Sequence, residues 1–127
     1  MGYLHTCYRI TDIDRSVAFY EALGFAEVRR KPIGDDAINV FMNMADDGDE
    51  PRLELTWNRD QEGPYDLGTG YNHIAISTSD IEARLEQLGE QGIEPEKPPY
   101  RVGGKPDGTL ICFVRDPDDY RVELIQR

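Results

Sequence analysis

The sequence predicts an α+β protein built from two copies of one β-α-β-β-β unit. The only two histidines of the chain, His5 and His73, stand in matching contexts 68 residues apart, since each is followed seven residues later by Asp-Ile. The same offset aligns Gly24 with Gly92, and each of these glycines closes a stretch with helical periodicity. Matches at a constant offset are the signature of an internal duplication.

Two glutamate-bearing segments extend this repeat. PRLEL in the first half and YRVEL in the second share the pattern Arg-apolar-Glu-Leu. Their glutamates, Glu54 and Glu123, lie 49 and 50 residues after the histidines of their respective halves. One such match could arise by chance, but four in the same order with a single one-residue slip indicate a duplicated unit.

The first unit begins with a predicted strand over 3–10, whose alternation places His5, Cys7 and Arg9 on one face. Asp12 is the predicted N-cap of a helix over about 13–23. Gly24 suits the position just after that helix. Three further strands are predicted at about 25–31, 37–44 and 51–58, with ADDGDEP as a hairpin turn between the last two.

The second unit repeats this order. A strand is predicted over about 71–78, followed by a helix that Asp80 caps. Three strands are predicted near 93–97, 109–114 and 120–126, with DPDD (116–119) as the turn before the last one. We therefore expect a single domain over 1–127, made of repeats at about 1–58 and 71–127 and joined by a Gly-, Pro- and charge-rich surface linker at 59–70.

Composition narrows the possible partners. The formal net charge is −11, which argues against a nucleic-acid backbone or an anionic membrane as a partner.

No apolar run approaches the roughly 20 residues of a membrane helix, and no secretory leader is visible. Cys7 and Cys112 have neither zinc-site nor redox-motif spacing, so we expect two reduced cysteines in a cytoplasmic protein.

The repeated histidines and glutamates form a candidate metal-ligand set. A single strand histidine is more often a surface group than a ligand, and a glutamate between apolar residues often only faces solvent. Core packing, however, has no reason to preserve His and Glu at equivalent places in both halves. If the halves pack about a pseudo-twofold axis, or pair between subunits, His5, Glu54, His73 and Glu123 form a set that suits Zn²⁺, Ni²⁺ or Co²⁺. Imidazole argues against Mg²⁺ and Ca²⁺.

Two polar residues lie on the same strand faces as the first two ligands. Arg9 follows His5 by four residues, and Asn58 follows Glu54 by four. At about 3.3 Å per residue, each side chain lies about 13 Å along its strand from the ligand. A guanidinium and an amide at that distance could bind a carboxylate of an extended substrate. A surface role for Arg9 and a turn-forming role for Asn58 are equally compatible with the sequence.

The sequence resembles the vicinal oxygen chelate superfamily. The segments that carry the resemblance cover nearly the whole chain: LHTCYRITDIDRSVAFYEALGF, LELTWN, GTGYNHIAI and FVRDPDDYRVELI. The similarity is closest to the glyoxalase I (lactoylglutathione lyase) family of the short bacterial type, because an E-L-T-x-N motif is found here as Glu54 to Asn58. The resemblance implies two βαβββ modules that form a curved sheet around a metal cleft.

Residue by residue, the resemblance implies that His5, Glu54, His73 and Glu123 hold one divalent ion, with Ni²⁺ or Co²⁺ favoured and Zn²⁺ possible. It assigns Arg9 and Asn58 to the γ-glutamyl carboxylate of glutathione, the co-substrate. Lys105 matches the basic residue that binds the other carboxylate, with Lys97 and Arg101 as alternatives. It further implies a homodimer, with His5 and Glu54 from one chain and His73 and Glu123 from the other.

The activity that the resemblance implies is isomerisation of the methylglyoxal–glutathione hemithioacetal to S-lactoylglutathione through an enediolate. Glu123 is then the catalytic base, and Glu54 serves the opposite face of the substrate or its opposite enantiomer. Two positions depart from the family pattern: Asp119 stands in place of a turn glycine, and Asn72 in place of the glycine before the second histidine.

Other activities of the superfamily are the alternatives. Extradiol dioxygenases and fosfomycin-modifying thiol transferases use two histidines and one glutamate, so Glu54 as a fourth ligand argues against them. A methylmalonyl-CoA-type epimerase shares the enolate chemistry, although Arg9 and Asn58 favour a glutathione-like conjugate. A non-catalytic small-molecule-binding protein would use the same cleft but generally lacks the metal ligands.

Overall fold

The computed structural model describes residues 1–127, which form two compact units, Met1–Asp66 and Leu67–Arg127. Each unit contains one helix and one four-stranded sheet. The elements of the first unit are β1 (Thr6–Ile10), α1 (Ile13–Ala22), β2 (Ala26–Ile33), β3 (Ala37–Asn43) and β4 (Leu53–Asn58). Those of the second are β5 (Ile74–Thr78), α2 (Ile81–Glu90), β6 (Tyr100–Arg101), β7 (Leu110–Arg115) and β8 (Arg121–Gln126).

The two sheets have the same topology. Their strand orders are β1-β4-β3-β2 and β5-β8-β7-β6, so the first and last strands of each unit are neighbours. Those neighbours run parallel, whereas the other strand pairs are antiparallel. The predicted α+β fold of two βαβββ modules is confirmed.

The register of the parallel pairs is equivalent in the two units. The Cα of Glu54 pairs with that of Cys7, two residues after His5. The Cα of Glu123 pairs with that of Ala75, two residues after His73. Because side chains alternate between the two faces of a strand, the histidine and the glutamate of each unit share one face of its sheet.

The opposite face of each sheet carries the apolar core. In the first unit, Tyr8 and Ile10 of β1 and Leu53 and Leu55 of β4 are buried, as are Phe19 and Tyr20 of α1. In the second unit, the buried side chains are Ile76 of β5, Val122 and Leu124 of β8, and Ile81 and Leu88 of α2. Burial of one face fixes the register of the pair, because a one-residue slip would turn the apolar set toward solvent.

Both helices begin and end as their sequences predict. The carboxylates of Asp12 and Asp80 accept hydrogen bonds from the backbone N–H groups of Arg15 and Ala83, each at 3.0 Å. At the C-terminal end of α1, Gly24 has a φ of 98°, and the N–H of Phe25 donates to the Tyr20 carbonyl at 3.0 Å. That pattern is a Schellman motif, which needs a residue with positive φ. Neither helix is long and apolar enough to cross a membrane.

Two strand predictions need correction. The segment 93–97 is not a strand, because Pro95, Pro98 and Pro99 have no N–H to donate to a ladder. Of the backbone N–H groups of this segment, only that of Glu96 bonds to β7, at 2.9 Å to the Phe113 carbonyl, and regular pairing is limited to the two residues of β6. His5 stands one residue before its strand rather than within it, as does His73.

The predicted turn over 116–119 is present. Asp116 accepts hydrogen bonds on Oδ1 from the N–H groups of Asp118 and Tyr120, both at 2.9 Å. Asp119 has a φ of 74° and is the one non-glycine residue of the chain with positive φ. Aspartate tolerates this conformation better than most residues, so the turn forms without the glycine.

Candidate metal centre

The first unit brings together His5 and Glu54. The Nε2 atom of the imidazole lies 2.7 Å from Oε2 of the carboxylate. The His5 side chain is 36% exposed and that of Glu54 only 12% exposed, so the imidazole is the more accessible member of the pair. His5 directly precedes β1 and Glu54 lies in the parallel neighbour β4, so the contact joins adjacent strands.

The second oxygen of Glu54 is held by Asn39 of β3. Asn39 donates from Nδ2 to Oε1 of Glu54 at 2.6 Å, and its own Oδ1 accepts from the hydroxyl of Thr56 at 2.9 Å. Because Oε1 is occupied by this bond, Oε2 faces His5. Sequence reasoning did not find Asn39. The signal was a polar residue within the apolar run of β3, opposite Thr56 in the ladder.

The second unit brings together His73 and Glu123. Nε2 of the imidazole lies 3.1 Å from Oε2 of the carboxylate. The imidazole packs edge-to-face against Phe113, with ring centroids 5.3 Å apart. Phe113 is the ladder partner of Glu123, as Phe41 is of Glu54.

The carboxylates of Glu54 and Glu123 differ in the hydrogen bonds that hold them. Asn39 lies two residues before Phe41, and the corresponding residue in the second unit, two before Phe113, is Ile111. An isoleucine side chain cannot donate a hydrogen bond. Glu123 therefore lacks the amide tether that fixes Glu54.

The imidazole of His73 is held by a polar network in which the sequence had singled out Asn72 but not Arg121. Its Nδ1 contacts Oδ1 of Asn72, which is also 3.1 Å from Nη1 of Arg121. Arg121 is itself paired with Glu96, through bonds of 2.7 and 2.8 Å. The hydrogen bonds from Arg121 hold the pKa of Glu96 below its ordinary value, so this ion pair is charged at neutral pH.

The donor atoms of the two pairs fit a divalent transition-metal ion. Two ligands about 2.1 Å from an ion, at right angles to each other, are separated by about 3.0 Å. The His–Glu separations of 2.7 and 3.1 Å lie on either side of that value. Each pair supplies one nitrogen and one oxygen, and within each unit no further His, Cys, Asp or Glu side chain makes a group of three.

Two of the other predicted binding residues, Arg9 and Asn58, lie in the first unit. Arg9 is exposed on the His5 face of β1, and Asn58 ends β4, so both stand at the carboxyl ends of adjacent parallel strands. The side-chain amide of Asn58 donates to the Tyr65 hydroxyl at 3.3 Å.

A cavity of about 470 Å³ contains the three basic candidates of the glycine-rich loop. The Lys97 ammonium lies 3.7 Å from the centroid of the Tyr100 ring, and the Arg101 guanidinium donates to the Gly108 carbonyl at 2.8 Å. Lys105 lines the same cavity and forms no ion pair.

Comparison with known proteins identifies the family. The model of the Glyoxalase/Bleomycin resistance protein/Dioxygenase superfamily matches residues 2–124. The chain belongs to this superfamily. The paired βαβββ topology and the equivalent His–Glu pairs are the features of the structure that agree with that assignment.

Three relatives within the superfamily are informative. The chain is 37% identical to a lactoylglutathione lyase of Neisseria meningitidis, an alignment covering all of this chain and 91% of that protein. It is 38% identical to a lactoylglutathione lyase of Arabidopsis thaliana, covering 98% of this chain but only 44% of that protein. The crystal structure of glyoxalase I from Zea mays superposes with a TM-score of 0.86 at 35% identity, over 98% of this chain and 44% of that one. The chain thus spans less than half the length of its plant relatives.

Asn39→Ile copies the second unit's residue into the first and removes the bond to Glu54. We expect the affinity of the protein for Co²⁺ to fall about tenfold, as is typical when a residue that orients a metal ligand is lost. Competition with a chromophoric chelator measures this affinity. Thr56→Val is the comparison variant, since it removes the hydroxyl that bonds to Oδ1 of Asn39 but keeps the Nδ2 donor to Glu54. A Co²⁺ affinity unchanged by Asn39→Ile would show that Asn39 does not orient a ligand.

Proposed function

We propose that this protein is a metal-dependent lactoylglutathione lyase (glyoxalase I), which isomerises the hemithioacetal of methylglyoxal and glutathione to S-lactoylglutathione. The observation that carries the proposal is the presence of two His–Glu pairs in equivalent registers, with donor separations of 2.7 and 3.1 Å. Support comes from the Neisseria meningitidis lactoylglutathione lyase, which this chain matches over 91% of its length. The cytoplasmic location is part of the proposal, and both cysteines are free.

The proposed metal ligands are His5, Glu54, His73 and Glu123. Nitrogen and carboxylate oxygen in equal number suit Ni²⁺, Co²⁺ or Zn²⁺. The two pairs bind one ion together. As the family resemblance implies, one pair comes from one subunit of a homodimer and the other pair from its partner. When bound, the ion supplies Lewis acidity that makes the C–H beside the substrate carbonyl more acidic.

Glu123 is the proposed base. A carboxylate that moves between substrate carbons must be free of competing bonds, and Glu54 is tied to Asn39 at 2.6 Å whereas Glu123 has no such amide donor. Glu123 removes the proton from the carbon that bears sulfur and oxygen, which gives an enediolate. It then returns the proton to the adjacent carbon, so the product is an isomer and no redox partner is needed.

The two carboxylates of glutathione are assigned to two different sets of residues. Arg9 and Asn58 bind the γ-glutamyl carboxylate, and Lys105 binds the other carboxylate. The net charge of −11 opposes an anionic ligand, so local cations have to provide the attraction. A different low-molecular-weight thiol with carboxylates at both ends would satisfy the same residues.

The decisive assay measures isomerisation of the methylglyoxal–glutathione hemithioacetal by chelator-stripped protein, with Ni²⁺, Co²⁺ or Zn²⁺ added back. We expect activity with at least one ion. In that loaded state, Glu123→Gln should lower kcat by about 10²-fold or more, because a general base contributes about 10²–10⁴-fold. Glu54→Gln is the matched control and should retain more activity at equal metal content.

Two results would contradict this proposal. Absence of turnover with all three ions would favour an epimerase or a non-catalytic binding protein. Near-wild-type turnover by metal-loaded Glu123→Gln would exclude Glu123 as the base.

Lys105→Ala should raise KM for the glutathione hemithioacetal about tenfold with little change in kcat. Lys105 would bind a remote carboxylate in ground and transition states alike, and a hydrogen bond between charged groups contributes about 1.5–3 kcal/mol. Lys97→Ala and Arg101→Ala are controls from the same cavity, and each should change KM less. A larger KM effect of either control would move the carboxylate site to that residue.

A further inference from the structure

We propose that Asn72 is a positioning residue which, together with Arg121, fixes the imidazole of His73 in its Nδ1–H tautomer. The lone pair of Nε2 is then directed toward the metal site. The consequence for metal binding rests on the proposed function, but the tautomer itself does not.

The orientation of the Asn72 amide follows from Arg121. A guanidinium has only donors, so the Asn72 atom 3.1 Å from its Nη1 must be the oxygen. Arg121 is held on two sides: its guanidinium makes bonds of 2.7 and 2.8 Å to Glu96 and stacks 3.7 Å from the centroid of Phe113. The side-chain oxygen of Asn72 is therefore presented to His73 by a fixed neighbour.

The proton position on His73 follows from that oxygen. An amide oxygen only accepts, so the Nδ1 atom that contacts it at 2.5 Å carries the proton. A neutral imidazole has one N–H, which leaves Nε2 as an acceptor. Nε2 lies 3.1 Å from Oε2 of Glu123, so its lone pair is directed to the same place as the carboxylate.

The first unit provides an internal comparison. The residue before His5 is Leu4, whose side chain has no acceptor. Arg52, which precedes Glu54 by two residues as Arg121 precedes Glu123, instead donates to the backbone carbonyl of Tyr3 at 2.7 Å. His5 has its Nε2 at 2.7 Å from Glu54, so in the absence of metal its proton resides on Nε2. The two histidines of the chain thus have opposite tautomers.

This difference matters for metal binding. Nε2 of His73 needs no tautomer change before it binds an ion, and Asn72 with Arg121 restricts rotation of the ring. Hydrogen bonds to the second nitrogen of a ligating histidine typically contribute about 10–100-fold to metal affinity. Asn72 therefore makes His73 the better prepared of the two imidazole ligands.

The tautomers can be measured directly in the metal-free, full-length, ¹⁵N-labelled protein. Two-bond ¹H–¹⁵N correlation spectra recorded at alkaline pH distinguish a protonated from an unprotonated ring nitrogen. The chain has only two histidines, and His5→Gln assigns them. We expect Nδ1–H for His73 and Nε2–H for His5. A wild-type His73 in the Nε2–H form overturns the proposal.

Variants then test the cause. Asn72→Leu gives His73 the environment of His5, so its proton should move to Nε2 and the Kd for Zn²⁺ should rise at least tenfold. Asn72→Asp keeps an acceptor oxygen at this position, so His73 should stay in the Nδ1–H tautomer in this variant. Arg121→Gln should weaken the Nδ1–H preference, whereas the matched Arg52→Gln in the first unit should leave His73 unchanged.

These outcomes separate the inference from the proposed enzyme activity. Protein that lacks isomerase activity but shows His73 as Nδ1–H, lost in Asn72→Leu, supports the inference and contradicts the proposed function. Active protein whose His73 tautomer and Zn²⁺ affinity are the same in the wild type and Asn72→Leu overturns the inference alone.

Discussion

Parallel pairing of the first and last strands in each unit is the constraint on which the candidate site depends. It sets Glu54 opposite the residue two positions after His5, and Glu123 opposite the residue two positions after His73. A one-residue slip of either pair would turn the carboxylate toward the core and the buried leucines toward solvent. The apolar face, through Leu55 in the first unit and Leu124 in the second, therefore holds the face that carries the His–Glu pair in register.

The two units have the same topology, but the residues that hold the histidine and the glutamate differ between them. In the first unit the carboxylate is anchored, because Asn39 bonds to Glu54. In the second unit the imidazole is anchored, because Asn72 contacts His73. Each pair thus has one fixed and one less restricted member. Under the proposed mechanism, the less restricted carboxylate is Glu123, the one that has to carry a proton between carbons.

Much of the fold was predictable because its signals are local or repeated. Asp12 and Asp80 mark helix starts by a side chain that bonds to the backbone three residues on, and Gly24 marks an end by its positive φ. The His and Glu pairs were predictable because duplication placed each residue type twice. The strand predicted over 93–97 was wrong because Pro95 within it, and Pro98 and Pro99 directly after it, have no N–H to donate to a ladder.

The supporting residues were harder to predict, since their contacts cross between strands. Asn39 lies 15 residues from Glu54, and Arg121 lies 49 residues from Asn72. Without the register, nothing in the sequence relates the members of either pair. The repeated Arg-x-Glu was a partial signal for Arg121, but its equivalent Arg52 bonds to the backbone instead, so the repeat alone would have assigned the wrong role.

The central claim is that the two His–Glu pairs act on one ion. Native mass spectrometry of Zn²⁺-titrated protein tests it most directly, with His5→Gln and His73→Gln measured beside the wild type. Joint binding predicts one tightly bound ion per chain, lost in both variants, because removal of either imidazole breaks the same site. Two ions per chain in the wild type, with one retained in each variant, would contradict the claim.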